Sequence, residues 1–346
     1  MKNKTFFSYE TLKITFPFGK AILGAILLFP ILLLLMEGFF HVIPIPEFIL
    51  VPTIDRKINY PEIDIKFSRL VAVEKEMEIN CFLLGNSMVD FGLNPSIFNS
   101  QPKLMGLRNP GCFNMALEAM MPETSFDIAK LLSVRKTPSL FIIGISAIDF
   151  AGKQYETRKF GISPWFQYLA GNFSMEGWMI DHSLVYKYWL SFKKYSNPIY
   201  LSELDNQRLL IDRFGHQLRQ QGNGVYQVQP IVKLPDFQIS QKDINGLIQI
   251  INLNSSATKI IVVEMPVNPD FIAYYVRGGE TGYKNLFLEP VEILLKNKGV
   301  PFIQTQPIIA DIVPPDGWID DLHLNEKGAQ LFSLWLVQIM NNILFF

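Results

Sequence analysis

Cysteine and histidine are scarce: the 346-residue chain holds two of the first, Cys81 and Cys112, and four of the second. Two cysteines without a histidine cluster make neither a disulfide-dense scaffold nor a zinc site. Net charge is nearly absent as well, with 31 basic against 32 acidic side chains, which leaves no basic excess for a phosphate backbone and excludes nucleic acid as an expected partner. Only 18% of residues are charged while 49% are hydrophobic, so the chain is not disordered, and no internal repeat is visible. Glycine and proline, at 22 each, are far too few for a collagen-like chain.

What is present begins with a long apolar run. Residues 21–36 are all apolar, Gly or Pro, and the run resumes after Glu37 with Gly38, Phe39 and Phe40. About twenty residues give roughly 30 Å of helix, enough for a hydrocarbon core. Lys2, Lys4, Lys13 and Lys20 precede it, whereas Arg56 and Lys57 are the first lysine or arginine residues after it. The positive-inside bias therefore predicts a cytoplasmic segment 1–20, one transmembrane helix over 21–43 and an extracytoplasmic remainder. A cleaved signal peptide is the alternative; no small-x-small site follows the run. Residues 1–18 mix apolar and lysine residues as a short interfacial helix would. Pro44, Pro46 and Pro52 predict an extended stalk or linker over 44–77.

Over 78–346 short apolar runs alternate with helical patterns, which predicts an α/β domain with a parallel sheet. Strands are expected at 79–84, 103–107, 139–145, 259–263 and 301–304, and helices at 122–133, 240–253, 286–298 and 325–343. In the last helix Leu331, Leu334, Trp335, Gln338 and Ile339 fall at helical spacing and are read as the core-facing stripe. Residues 151–235, rich in aromatic and polar side chains, break the alternation and read as an insertion between the third and fourth strands. Cys81 begins one central strand and Cys112 follows another; buried free thiols are favoured over a disulfide.

Two stretches carry chemistry. After the first strand comes Gly85-Asn86-Ser87, which sets a hydroxyl at the carboxyl end of a parallel strand, where open sheets display nucleophiles. Before the last helix, Asp320 and His323 stand three apart in Asp-Asp-Leu-His-Leu-Asn, so a carboxylate can orient an imidazole that acts as general base.

Together, in this order and at these ends of the domain, the two stretches resemble the SGNH (GDSL-type) hydrolase superfamily. The resemblance covers roughly 78–346 and implies a three-layer α/β/α fold with a flavodoxin-like parallel sheet. It makes Ser87 the nucleophile and an oxyanion donor, His323 the base and Asp320 its orienter. Phe113-Asn114-Met115-Ala116 is similar to the second block, whose oxyanion-binding glycine is replaced by Ala119, with Gly111 as an alternative. The stretch 141–150 looks like the third block, but its usual asparagine is missing; Ser146 or Asp149 stands nearby, and Asn86 flanks the nucleophile. Asn268 and Asp270 are similar to a fourth-strand loop of membrane-anchored members and are read as loop residues. The resemblance implies a membrane-bound serine esterase or O-acyltransferase that needs no metal or organic cofactor. Its substrate would be an acylated envelope polysaccharide or lipid, with a membrane protein as a possible partner. The missing asparagine and the insertion's Trp165, Phe166, Tyr168, Trp178, Tyr186 and Trp189 keep a second reading in play, a weak or inactive polysaccharide-binding accessory.

Overall fold

A computed structural model describes residues 16–43, 61–104, 106–152, 163–169, 171–218 and 232–343. The apolar run is one helix, α1 (Phe16–Val42), with Pro30 inside it. Its segment Ala21–Val42 is long and apolar enough to cross a membrane, and none of its most apolar window is buried in the protein. The expected helix at 1–18 lies largely outside the described residues, as does the stalk from 44 to 60. The rest of that expected linker is not extended: α2 (Pro61–Glu74) buries Ile63, Phe67, Leu70 and Val73 in the main core. Prolines set the reading of a stalk, yet Pro61 occupies a first helical position, where it costs nothing.

The domain is built on five parallel strands: β1 (Cys81–Leu84), β2 (Cys112–Asn114), β3 (Leu140–Ile145), β4 (Lys259–Glu264) and β5 (Phe302–Ile303), in the order β2-β1-β3-β4-β5. β1 and β3 are buried throughout, as strands covered on both faces must be. The chain moves one way from β1 to β2 and the other way thereafter. Right-handed crossovers thus put the helices after β1 on one face and those after β2, β3 and β4 on the other. Accordingly α3 (Ser87–Gly92) packs with the last helix, α10 (Glu326–Ile343), while α4 (Pro122–Arg135) packs with α8 (Gln241–Ile251). The strand order reverses at β1, which opens a crevice at the carboxyl ends of β1 and β3.

Three expectations about this core are corrected. Lys103–Leu104 and Leu107–Arg108 pair only with each other in a small antiparallel hairpin, turned at Gly106 with φ +80°. The second strand of the sheet is instead the short, wholly buried β2. Cys81 and Cys112 face each other in register on β1 and β2 and form a disulfide, since parallel pairing brings their Cα atoms to 4.3 Å. In α10 the core face is Phe332, Ser333, Leu336, Val337 and Met340, while Leu334 is 41% exposed. Apolar residues surround that helix, and the sheet selected the other stripe.

Between β3 and β4 the described part of the insertion carries the helices Pro164–Leu169, α5 (Met175–His182), α6 (Leu184–Tyr195) and α7 (Pro198–Arg208). α6 meets the end of α1. Glu37 accepts hydrogen bonds from Ser183 Oγ (2.8 Å) and from the backbone N–H groups of Leu184 (2.6 Å) and Val185 (3.1 Å). An anion on the free N–H groups of a helix N-terminus is stabilising, which accounts for one carboxylate in an otherwise apolar run.

Candidate active site

β1 ends at Gly85, whose φ is +151° and whose missing Cβ would lie 2.6 Å from Gly144 O and 2.4 Å from Val89 Cγ2. Only glycine lets α3 seat this closely on β3. Asn86 then caps α3, its Oδ1 accepting from Met88 N at 2.8 Å, and Ser87 is the first helical residue. Ser87 is thereby held, partly exposed, at the carboxyl end of β1.

The loop before α10 is a tight hairpin. Trp318 bridges Leu324, and Ile319 N donates to His323 O at 2.8 Å. Asp320 Oδ1 accepts from the N–H groups of Leu322 (2.9 Å) and His323 (2.7 Å), so the side chain that orients the ring also shapes the turn. His323 Nδ1 lies 2.8 Å from Asp320 Oδ2, and His323 Nε2 lies 2.8 Å from Ser87 Oγ. With Nδ1–H donated to the carboxylate, Nε2 is left as acceptor for the serine hydroxyl. Burial alone would raise the Asp320 carboxyl, but the hydrogen bonds from His323 and the turn hold it below the usual carboxylate range. The structure thus brings Ser87, His323 and Asp320 into one hydrogen-bonded row, and both members of the His–Asp pair keep just under a fifth of their side-chain surface exposed.

Ala119 sits in the loop after β2, tied to the nucleophile turn by the Leu117 N–H, which donates to Gly85 O at 3.2 Å. Its φ of +54° is left-handed, a conformation that favours glycine. Gly111 is at the other end of β2, where its carbonyl accepts from Asn80 and Cys81. The remaining candidates bond to one another or to their own loops. Ser146 is fully buried and donates its hydroxyl to Asp149 (3.1 Å); Asp149 also accepts from Ser146 N (2.7 Å) and Asn86 Nδ2 (2.6 Å). Burial pushes Asp149 up to about 7, against those hydrogen bonds. Ser146, Asn86 and Asp149 thus form a closed, buried floor next to Ser87. Asn268 N donates to Asp321 O and its side chain accepts from Asp270 N, a loop arrangement.

Three supporting residues had no place in the sequence reading. Lys66 of α2, fully buried, donates to Asp90 of α3 (2.5 Å) and to Ala116 O. His216 donates from Nε2 to Phe91 O at 3.0 Å, and the Phe91 ring meets His323 edge-on at 5.1 Å. Burial lowers His216, which keeps the imidazole neutral. Only a lone lysine, aspartate and histidine far apart in sequence signalled them. Of the aromatics considered as a sugar platform, Trp165 is buried, whereas Trp178 and Trp189 are exposed. Among the described residues no group of three His, Cys, Asp or Glu is placed to hold a metal ion.

No family model and no curated protein matches the chain in sequence. Solved structures that it resembles include a candidate acylhydrolase from Bacteroides fragilis, 9% identical with a TM-score of 0.39 over 81% of this chain and 98% of that one. A candidate platelet activating factor from Streptococcus pneumonia is 13% identical, with a TM-score of 0.38 over 81% and 91%. A candidate GDSL-like lipase from Parabacteroides merdae is 11% identical, with a TM-score of 0.31 over 77% and 98%.

Proposed function

We propose that the protein is a serine esterase or O-acyltransferase, held in a membrane by α1 and acting on acyl esters of an envelope polysaccharide or lipid. One observation carries this: a serine hydroxyl 2.8 Å from an imidazole whose other nitrogen is held 2.8 Å from a carboxylate, at the carboxyl end of a parallel strand. In the reaction His323 Nε2 takes the Ser87 proton as Oγ attacks the acyl carbonyl. The N–H groups of Ser87 and Ala119 stabilise the tetrahedral oxyanion, and His323 returns the proton to the leaving alcohol. Water or a sugar hydroxyl, deprotonated by His323, then takes the acyl group from Ser87 Oγ, which recovers its proton from His323. The missing third-block asparagine matters less if two backbone donors suffice; loss of one donor typically costs about 10²- to 10³-fold in rate.

The Cys81–Cys112 disulfide supports an oxidising, extracytoplasmic compartment for the domain, as the lysine-rich N-terminus does. The test is labelling of the detergent-solubilised protein with a fluorophosphonate probe. Wild type is expected to label, and Ser87→Ala and His323→Ala to lose the label while keeping wild-type thermal unfolding. A folded wild type that does not label overturns the catalytic reading and leaves the accessory, polysaccharide-binding one.

A further inference from the structure

Helix α6 (Leu184–Tyr195) presents an apolar face that meets the end of α1 on one side and is open to solvent at Trp189 and Phe192. Leu184, Leu190 and Ser191 are buried on one side, while Trp189 is 48% and Phe192 76% exposed on the other. Val185, Tyr188, Trp189 and Phe192 share that second side, since i, i+3, i+4 and i+7 fall together on a helix. The same side touches the end of α1: Tyr188 stacks on Phe40, ring centroids 4.1 Å apart, and Glu37 binds the first turn. Ala21 to Phe40 fills roughly 30 Å, the hydrocarbon thickness, so Glu37 and Phe40 mark its outer edge. Phe192 lies one turn beyond Tyr188, about 6 Å further along α6, and so stays within reach of the headgroup layer whichever way the helix runs. α6 carries no acidic residue, and Lys193 borders the face, its Nζ 5.8 Å from the Trp189 ring centre, while Lys187 and Lys194 turn inward to Asp181 O and Asp64. An aromatic face edged by a lysine is the composition that settles at a lipid–water boundary.

We infer that α6 seats its Trp189–Phe192 face in the outer headgroup layer of the bilayer that α1 crosses, so that the insertion is a lipid-binding foot holding the catalytic domain against the membrane. This rests on reading α1 as a membrane span. The two are separated by placing single environment-sensitive fluorophores, on the full chain, at Phe192→Cys, Leu28→Cys and Ile293→Cys. The proteins are reconstituted in phosphatidylcholine–phosphatidylglycerol nanodiscs brominated either just below the headgroups or near the chain ends. Phe192 and Ile293 are both exposed, so a label there leaves the core intact, and Ile293, on α9 (Glu289–Asn297), which packs on β5, serves as the comparison site. The inference expects the Leu28 probe to be quenched by deep bromine. It expects the Phe192 probe to be quenched by shallow bromine at least about two-fold more than the Ile293 probe, as a side chain at the headgroup–chain boundary would be. Leu28 quenched with Phe192 no different from Ile293 overturns the foot, leaves the anchor standing and assigns the face to a protein partner. Leu28 unquenched removes the anchor, and the foot with it.

Discussion

Ser87 stands between an open row and a closed floor that use the same kinds of side chain. On the open side Asp320 bonds an imidazole and two backbone N–H groups, and its carboxyl is held low. On the closed side Asp149 takes up Ser146 and Asn86, and burial pushes it up to about 7, while Asp90 meets Lys66 with both side chains fully buried. The difference lies in surroundings, not in residue type. A carboxylate with partial solvent access and a cationic or donor partner stays charged and can steady an imidazolium. One that is fully buried instead holds neighbouring elements together, Asp149 the Ser146 backbone and Asp90 the Lys66 side chain, and its charge is a liability.

The largest effect is expected where the comparison is broken on its open side. Asp320→Asn keeps an acceptor for the turn but removes the charge that stabilises His323 when it takes the serine proton. Labelling by a fluorophosphonate, or turnover of a p-nitrophenyl ester, should fall by about 10⁴-fold, the cost seen when the corresponding carboxylate in a serine protease becomes an amide. The melting temperature should fall only modestly, because the charge that the turn and His323 hold in place also contributes to stability. A mutant that retains even a tenth of the wild-type rate would remove Asp320 from the row.

On the closed side the same kind of change should be read as stability. Lys66→Met strands Asp90 without its cation, and denaturant unfolding should show a loss of about 3–5 kcal/mol. Lys66→Met with Asp90→Leu should recover most of it, because an apolar pair replaces the buried ion pair. If the double variant is no better than the single, the pair is not what joins α2 to α3.

How much of this could be read from the chain follows the same division. Ser87, Asp320 and His323 were legible because each sits beside local signals: a strand ending in glycine, a three-residue spacing, a helix start. β3, β4 and α4 were legible from length and pattern. β2 was not, because three residues carry no period, and the stretch 103–107 nearby offered a longer candidate whose ends the fold spends on a hairpin. Lys66, Asp90 and His216 were invisible for a different reason. Their partners lie 24 residues or more away in sequence, so only the tertiary fold gives them a role. Glu37 looked like a blemish in an apolar run until α6 supplied the N–H groups that it binds.

Asp149 sharpens the contrast through pH. Its ordinary value is 3.8 and in the fold it is about 7. Between those values the folded protein holds a proton that the unfolded chain has released, so this group's contribution is full at the acid end and is lost as pH rises toward 7. Asp149→Asn cannot titrate. Its melting temperature should therefore start below that of wild type at pH 5, where the acid's hydrogen bonds are intact, and the gap should narrow by pH 8. A gap that is constant or widens would mean that Asp149 is charged in the fold at both pH values, held so by Ser146 and Asn86.

The smallest effect belongs to Ala119, back on the open side. An L-residue in the left-handed region is strained by roughly 1–2 kcal/mol, which glycine avoids, while glycine gives up about 0.5–1 kcal/mol through the freedom it gains in the unfolded chain. Ala119→Gly should thus leave the protein equally stable or more stable by up to about 1.5 kcal/mol. Because the backbone geometry is unchanged, the N–H assigned to the oxyanion keeps its aim and the labelling rate should not fall. A clear loss of stability would show that Ala119 is not strained as its φ of +54° implies. A loss of rate alone would show that its methyl group, rather than its N–H, touches the bound ester.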